Sequence, residues 1–535
     1  MALDGVEPRL SKTSVLVPCA HLHASTRSPA SSDNPLTTPK AAAVPQSNAA
    51  TRLLSHSARP DTPCASMAFS YALAATVLCV VVPPLVILYR ILRVRVPGPL
   101  RPQTLLLGTF LDRKFVPSIF TRHHAFGALG EKYGRYVRIV GPLGKCTVFF
   151  SGAMPSWFSD RRMDSNRAGL RFILPRSILG MPLGSDWSRH RRAIAPLFSA
   201  KSLETQLPHI LSACRELVDS NLQAGVMDLY PLMNAWSLDI IGRVAFGHEF
   251  GALAGAKDGH ASRYASAADG ILGDLLRRFT KGPLASLDRA ACAQGKAAMT
   301  VYRDTAVEII RASAADDAPE AMRSSFAARL ADRLPVEDCV QESISLLIAG
   351  HETSSNTACW ALHLLATNPE QQAECRAEAD SYPAMPSYKD LMAMTTLVGA
   401  VYEALRLYPI IIGPAKKTLR DDQIPGVPRG TYVAPNKAQM GRCPIQFPSP
   451  ERFDCSRFGK GQHGKMGEPH CPFGAGPRIC VGYSLAQLEL VALLHAVLRR
   501  YELFPAGPGY PAPREHALIT NGPRESGLFL KLVPR

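Results

Sequence analysis

Cys480 is the residue whose surroundings most demand chemistry. It lies in Pro472-Phe473-Gly474-Ala475-Gly476-Pro477-Arg478-Ile479-Cys480-Val481-Gly482, a glycine-rich turn. The turn runs into an apolar stripe of Val481, Leu485, Leu488, Val491 and Leu494 at helical spacing. A thiol at a helix N-terminus meets the macrodipole and free N–H groups that favour a thiolate. Arg478, two positions earlier, offers a planar fork suited to a carboxylate. Gly476 and Gly482 leave the backbone free to approach something flat and bulky. The plain alternative is a structural cysteine beside a glycine-rich turn. Zinc fits poorly, because Cys471 and Cys480 have eight residues between them and the chain holds no CxxC pair.

Three other groupings carry polar chemistry in a helical register. Glu352 and Thr353 follow Gly350 and His351 inside a long helical pattern, about 336 to 367. Glu403 and Arg406 share one helix face at i,i+3. Trp187 and Arg191 are i,i+4 neighbours, so an indole N–H and a guanidinium can meet one acceptor. Each has an ordinary reading: a threonine bonded to its own helix, a surface ion pair, a packed tryptophan beside a solvated arginine. A thiolate, a closely approaching backbone and a carboxylate-binding arginine together fit haem, with iron on sulfur and a propionate on Arg478.

Phe473, Gly476, Arg478, Cys480 and Gly482 match F-x-x-G-x-R-x-C-x-G, and the segment resembles the haem-binding loop of the cytochrome P-450 monooxygenases. The likeness extends over about residues 96 to 535. Ala349-Gly350-His351-Glu352-Thr353-Ser354 resembles the family's oxygen-helix segment. It implies that Gly350 leaves room for oxygen, that Thr353 holds a water and that Glu352 passes protons inward, while His351 stays an ordinary solvated residue. Glu403 and Arg406 resemble the family's E-x-x-R pair, completed by Arg457 with Arg452 as the runner-up. Trp187 and Arg191 resemble its W-x-x-x-R helix, implying contacts to a propionate, and Lys416 or Lys417 stands where an arginine often does the same. Gly441, Cys443 and Cys455 depart from the family's usual His, Asp and Pro.

The resemblance implies haem b with an axial thiolate from Cys480. It implies a haem-thiolate monooxygenase that inserts one atom of O2 into a hydrophobic small molecule. The chain has no flavin or nicotinamide motif, so electrons are expected from an NADPH-dependent flavoprotein reductase, docking near Arg189, His190, Arg192, Lys460 and Lys465. Secondary metabolism is a family-level expectation. The alternatives are a lyase or isomerase on the same fold, and a non-catalytic haem-binding membrane protein. Substrate-lining residues are expected at about 161 to 181, 246 to 289, 344 to 353 and 410 to 413.

These residues need a scaffold, and the rest of the 535-residue chain describes one. It is 46% hydrophobic and 19% charged, which excludes a disordered or coiled-coil protein. The 13 cysteines are scattered and suit reduced thiols rather than a disulfide framework. The formal charge of +16 favours an acidic partner or membrane surface. No DNA-binding motif or basic-aromatic stripe points to nucleic acid. Residues 1–66 hold 10 Ser, 6 Thr, 8 Pro and no aromatic residue, and read as a disordered extension. Residues 67–92 read as a transmembrane anchor: Ala68 to Tyr89 is 22 residues without a charge, about 33 Å of helix. Arg90, Arg93, Arg95 and Arg101 behind it place the following body in the cytosol, on an endoplasmic reticulum membrane. A Pro-rich hinge follows at 93–102 and one catalytic body at 103–535. The fold class expected is α+β, mostly α-helical: the cytochrome P-450 fold with small sheets, preceded by one transmembrane helix. Short strands are expected near 136–150 and 517–533.

Overall fold

Val336–Thr367 is the axis around which the rest is arranged, a helix of 32 residues whose middle is buried almost all round. Leu346, Leu347, Ala358, Cys359, Trp360 and Leu362 are buried there together with the polar Glu342, Ser354, Ser355 and Asn356, so neighbours cover the helix on nearly every side. The computed structural model describes residues 76, 80–98, 130, 132–140, 145–160, 162–163, 168–257, 262–411, 415–458, 470–517 and 520–535. Residues 1–66, most of 67–79, and 99–102 lie outside these, so the expected extension, most of the anchor and part of the hinge are not described.

The helices that matter below are α1 (Val82–Leu92), α2 (Ser185–Ile194), α3 (Ala200–Glu216), α4 (Leu229–Ile241) and α5 (Arg263–Lys281). They continue as α6 (Arg289–Ala312), α7 (Val336–Thr367), α8 (Pro369–Asp380), α9 (Thr395–Leu407) and α10 (Tyr483–Arg500). α4, α6, α9 and α10 all pack on α7. Gly350 permits a close approach of α4: a Cβ there would meet Ile241 Cδ1 at 2.9 Å.

Three small sheets flank the helices. The first runs β1 (Tyr136–Val140), β2 (Cys146–Phe150), β5 (Tyr432–Pro435), β4 (Lys416–Lys417). β1 and β2 are antiparallel with Tyr136 opposite Phe150, and β2 pairs parallel with β5, Val148 opposite Val433. The second is β3 (Gly225–Asp228), β9 (Phe529–Pro534) and β6 (Tyr501–Pro505), all antiparallel. The third pairs β7 (His516–Ala517) with β8 (Asn521–Gly522). The helix-dominant α+β class and both strand regions agree with the sequence reading.

One expectation changes. The apolar series Leu391, Met394, Val398, Val401, Leu405 and Tyr408 predicts one helix, but the chain breaks at Met394 into Tyr388–Ala393 and α9. The N-termini of both pieces are held by carboxylates. Ser387 and Asp390 form a capping box on the first piece. The Glu378 carboxylate of α8 accepts from Thr396 N (3.0 Å) and Leu397 N (2.8 Å) on the second. At the front of the chain, no helix among the described residues is long and apolar enough to cross a membrane. α1 covers 11 residues, with Pro83 and Pro84 in its first turn. Its Ile87 and Ile91 pack into the core of the first sheet, and Arg138 of β1 donates to Ile91 O and Val94 O. Val81, Leu85, Tyr89 and Leu92 remain exposed.

Candidate haem-thiolate site

The loop that carries Cys480 is fixed by its own backbone. Gly474 and Gly476 take φ of +79° and +73°, left-handed values that glycine adopts without strain. Gly476-Pro477-Arg478 makes a single 3-10 turn, and Cys480 N donates to Phe473 O at 2.9 Å. α10 starts at Tyr483 with Gly482 as its N-cap, so Cys480 stands three residues ahead of the helix. Two of these glycines also permit close packing within the protein. A Cβ at Gly476 would strike Ser159 at 2.9 Å and one at Gly482 would meet the Phe198 ring at 3.3 Å. Their bareness lets the protein pack on itself.

The Cys480 thiol is crowded by protein atoms, yet the residue's surface is exposed. Burial pushes the thiol above its ordinary value, against the pull of the Gly482 N–H, Arg191 and Lys437 toward thiolate. Without a cation on the sulfur, desolvation outweighs these pulls. Lys437 is pushed down to about 8 by burial, with Cys471 and Cys480 acting to hold its charge. A metal cation on the sulfur would supply the charge that stabilises thiolate. An accessible thiol with two cationic side chains and an N–H around it fits the thiolate-ligated iron of haem.

Arg478 and Trp187 lie together. The guanidinium carbon lies 4.7 Å from the centre of the Trp187 ring. Arg478 donates to Ile178 O and Met181 O, both at 2.6 Å, and Trp187 Nε1 also donates to Ile178 O at 3.3 Å. The donors assigned to propionates are thus bonded here to main-chain oxygens, which share the acceptor chemistry of a carboxylate. Arg191, one turn beyond Trp187, feels the Cys480 charge, and burial lowers its own affinity for a proton. Lys416 is buried and donates to Phe158 O at 2.6 Å, whereas Lys417 lies over the exposed edge of Tyr432. Phe473 packs against Tyr402 and Tyr483.

α7 presents a narrow accessible stripe in its buried middle: Ala349 is exposed and Gly350 and Thr353 are half-buried. Thr353 Oγ1 donates to Ala349 O at 2.6 Å, and Ser237 of α4 donates to His351 O at 2.8 Å. His351, expected to be solvated, is buried instead and is pushed down to about 4 by desolvation. Glu352 turns away from this stripe. It faces a polar cleft of about 190 Å³ lined by Tyr230, Asn356, His516, Thr520 and Arg524. One of its carboxylate oxygens bonds Thr520 while Oε2 has no partner, and burial raises its affinity for a proton against the pull of Arg524. Arg524 pairs in turn with exposed Asp269 of α5 at 2.8 Å. Sequence reasoning missed His516, Thr520 and Arg524. They lie in short strands and turns near the C-terminus, where nothing in their spacing marks them.

A second interaction joins α7 to α10. Ser354 donates to Glu489, whose carboxyl is pushed up to about 8 by burial. This bond ties the helix of Thr353 to the helix that follows Cys480.

Glu403, Arg406 and Arg457 form one buried network. Arg406 makes a double bond-pair with Glu403 and donates to Gly441 O (2.7 Å), Pro450 O (2.6 Å) and Arg452 O (3.0 Å). Arg457 Nε completes the carboxylate at 3.1 Å. Arg452 contributes only its carbonyl. Glu403 and Arg406 are wholly buried, so the surface ion-pair reading does not hold. Gly441 is explained by the same network: a Cβ there would stand 2.6 Å from Arg406 O. Cys455 replaces proline with an N–H that donates to Gln371 Oε1 at 2.7 Å, and its sulfur touches Cys375 at 3.9 Å. Lys460, Lys465, Ile412 and Gly413 lie outside the described residues.

The comparisons agree with this geometry. The family model described as Cytochrome P450 matches residues 148–526. Cytochrome P450 3A29 of Sus scrofa is 26% identical over 393 residues, covering 67% of this chain and 76% of the relative. Cytochrome P450 714C2 of Oryza sativa subsp. japonica is 36% identical over 183 residues, 33% of this chain and 35% of the relative. Thromboxane-A synthase of Sus scrofa is 31% identical over 213 residues, 38% of this chain and 40% of the relative. With a buried Glu-Arg-Arg network, a cysteine whose surface is exposed, and a family match over most of its length, this chain belongs to the cytochrome P450 family and is a haem-thiolate oxidoreductase.

Proposed function

We propose that the enzyme hydroxylates, or otherwise oxidises, a hydrophobic small molecule in secondary metabolism, with electrons from NADPH passed by a flavoprotein reductase. It works at the endoplasmic reticulum membrane, with its catalytic body in the cytosol. The observation that carries the monooxygenase reading is Cys480: an accessible thiol between Arg191, Lys437 and the Gly482 N–H. When bound, haem supplies the iron at which O2 is activated and the oxidation is done.

The chain's own residues do the rest. Cys480 would ligate the iron, and Arg478, Trp187 and Arg191 would hold the propionates. Thr353 keeps its hydroxyl at the accessible stripe of α7, poised to exchange its bond to Ala349 O for one to a water. Glu352 accepts protons from the solvent side, where its unpartnered Oε2 faces the polar cleft, and its raised proton affinity suits repeated uptake and release. Apolar packing around α7 excludes bulk water from the remaining path. Gly350 and Ile410 belong to the substrate side of this reading.

A second reading follows from the synthase named above: a lyase or isomerase that rearranges a peroxide without O2 or reductase. Glu352 beside Thr353 favours the monooxygenase, because that rearrangement consumes no protons from solvent. Reduced, CO-treated protein should show a thiolate-type Soret band. A panel of apolar compounds should then shift the ferric Soret, and binders should be oxidised only when NADPH, reductase and O2 are all present. Turnover of a peroxide substrate with NADPH omitted would replace this reading with the second.

A further inference from the structure

A cluster of buried charge lies outside the site just described, between α2, α7 and the segment 176–181. His190 of α2 has Nδ1 2.7 Å from Glu342 Oε1 and Nε2 3.3 Å from Asp338 Oδ2, both acids being on α7. Arg176 and Arg189 also bond Asp338, at 2.6 and 3.3 Å. Ser345 donates to the other Glu342 oxygen at 3.0 Å. His190, Asp338 and Glu342 are almost wholly buried. Burial pushes Glu342 above its ordinary value against the pull of His190. For Asp338 burial pushes the same way, but Arg176 and Arg189 win and hold it below.

One residue connects this cluster to the cofactor residues. Ile178 N donates to Glu342 Oε1 at 2.8 Å, while Ile178 O accepts from both Arg478 and Trp187. The two groups belong to successive peptide planes that meet at the Ile178 Cα, so anchoring the first plane leaves only the φ and ψ of Ile178 to set the direction of its C=O. Arg176 anchors the same segment two residues earlier, and Met181 O takes the second Arg478 bond three residues later. The segment is thereby held to α7 on one side and holds the Arg478–Trp187 pair on the other.

We propose that Glu342, with His190, is a positioning residue: it anchors the backbone at Ile178, and through that residue's carbonyl sets Arg478 and Trp187 for the acid groups of haem. The proposal rests on the reading that Arg478 and Trp187 hold the propionates. Glu342 touches neither haem nor substrate. Its effect therefore reads out in cofactor retention rather than in ligation by Cys480.

The experiment measures transfer of haem from the ferric holoenzyme to excess apomyoglobin, beside the reduced CO spectrum and the melting temperature. Glu342→Gln keeps the shape and an acceptor oxygen but loses the charge shared with His190. Glu342→Ala loses both. Haem loss should rise by about tenfold in Glu342→Ala and less in Glu342→Gln, with the thiolate-type CO band retained in both. The discriminating arm is the double variant. In an Arg478→Ala background, Glu342→Gln should have no further effect on haem loss, whereas a general loss of stability would add to it. If Arg478→Ala speeds haem loss but Glu342→Gln adds its full effect on top, or neither Glu342 variant changes the rate, the positioning role is overturned. If Arg478→Ala itself leaves haem loss unchanged, the propionate reading falls and takes the proposal with it.

Discussion

At the scale of residues, the site depends on where burial places protons. The Glu489 carboxyl is pushed from 4.5 to about 8 by desolvation, partly offset by its bond to Ser354. The folded protein keeps a proton there that the unfolded chain releases at lower pH. That contribution to stability is complete below the unfolded pKa and is lost as pH rises through about 8. The urea midpoint should therefore fall across this window. Glu489→Gln should flatten that part of the dependence, and an unchanged slope would place the titration elsewhere. Cys480 makes the second residue-scale prediction. Cys480→Ala should abolish the thiolate-type band of the reduced, CO-bound protein, and its survival would mean that another side chain ligates the iron.

At the scale of elements, the network of Glu403, Arg406 and Arg457 joins α9 to the segment that precedes the haem loop. Arg406→Ala strips the buried Glu403 of its main partner and leaves the carbonyls of Gly441, Pro450 and Arg452 short of a donor. A loss of about 3–5 kcal/mol in urea unfolding is expected. Gly441→His restores the family's common residue in a place where a Cβ already meets Arg406 O at 2.6 Å. It should destabilise by about 1–3 kcal/mol, and a neutral result would show that the segment moves aside. These elements also show what could be read before any coordinates. α7, α10 and the strands at Tyr136–Phe150 follow from apolar period, and Cys480, Glu403 and Arg406 from local spacing. The break at Met394 did not, because its cause is the Glu378 carboxylate on another helix. Nor did the partners of Glu352, which reach it from the far end of the chain through pairings that no local pattern encodes.

At the scale of the whole molecule, a buried catalytic body carries an apolar lead. α1 sets Ile87 and Ile91 into the first sheet's core and leaves Leu85, Tyr89 and Leu92 outward. If this face continues into a membrane, Leu85→Glu with Leu92→Glu should move the enzyme from the carbonate-resistant pellet to the supernatant while its CO spectrum is kept. Retention in the pellet would show that these side chains do not bear the attachment. Synthesis meets a different constraint. The bonds from Arg478 to Ile178 and Met181 span 300 and 297 residues, and β2 can pair with β5 only after residues 432–435 exist. A ribosome must therefore release nearly the entire polypeptide before the cofactor cradle closes, and such distant contacts form slowly. Until then the nascent chain carries its apolar helix faces uncovered, and a message cut short before Arg478 yields a product that cannot retain haem however well its earlier helices have formed.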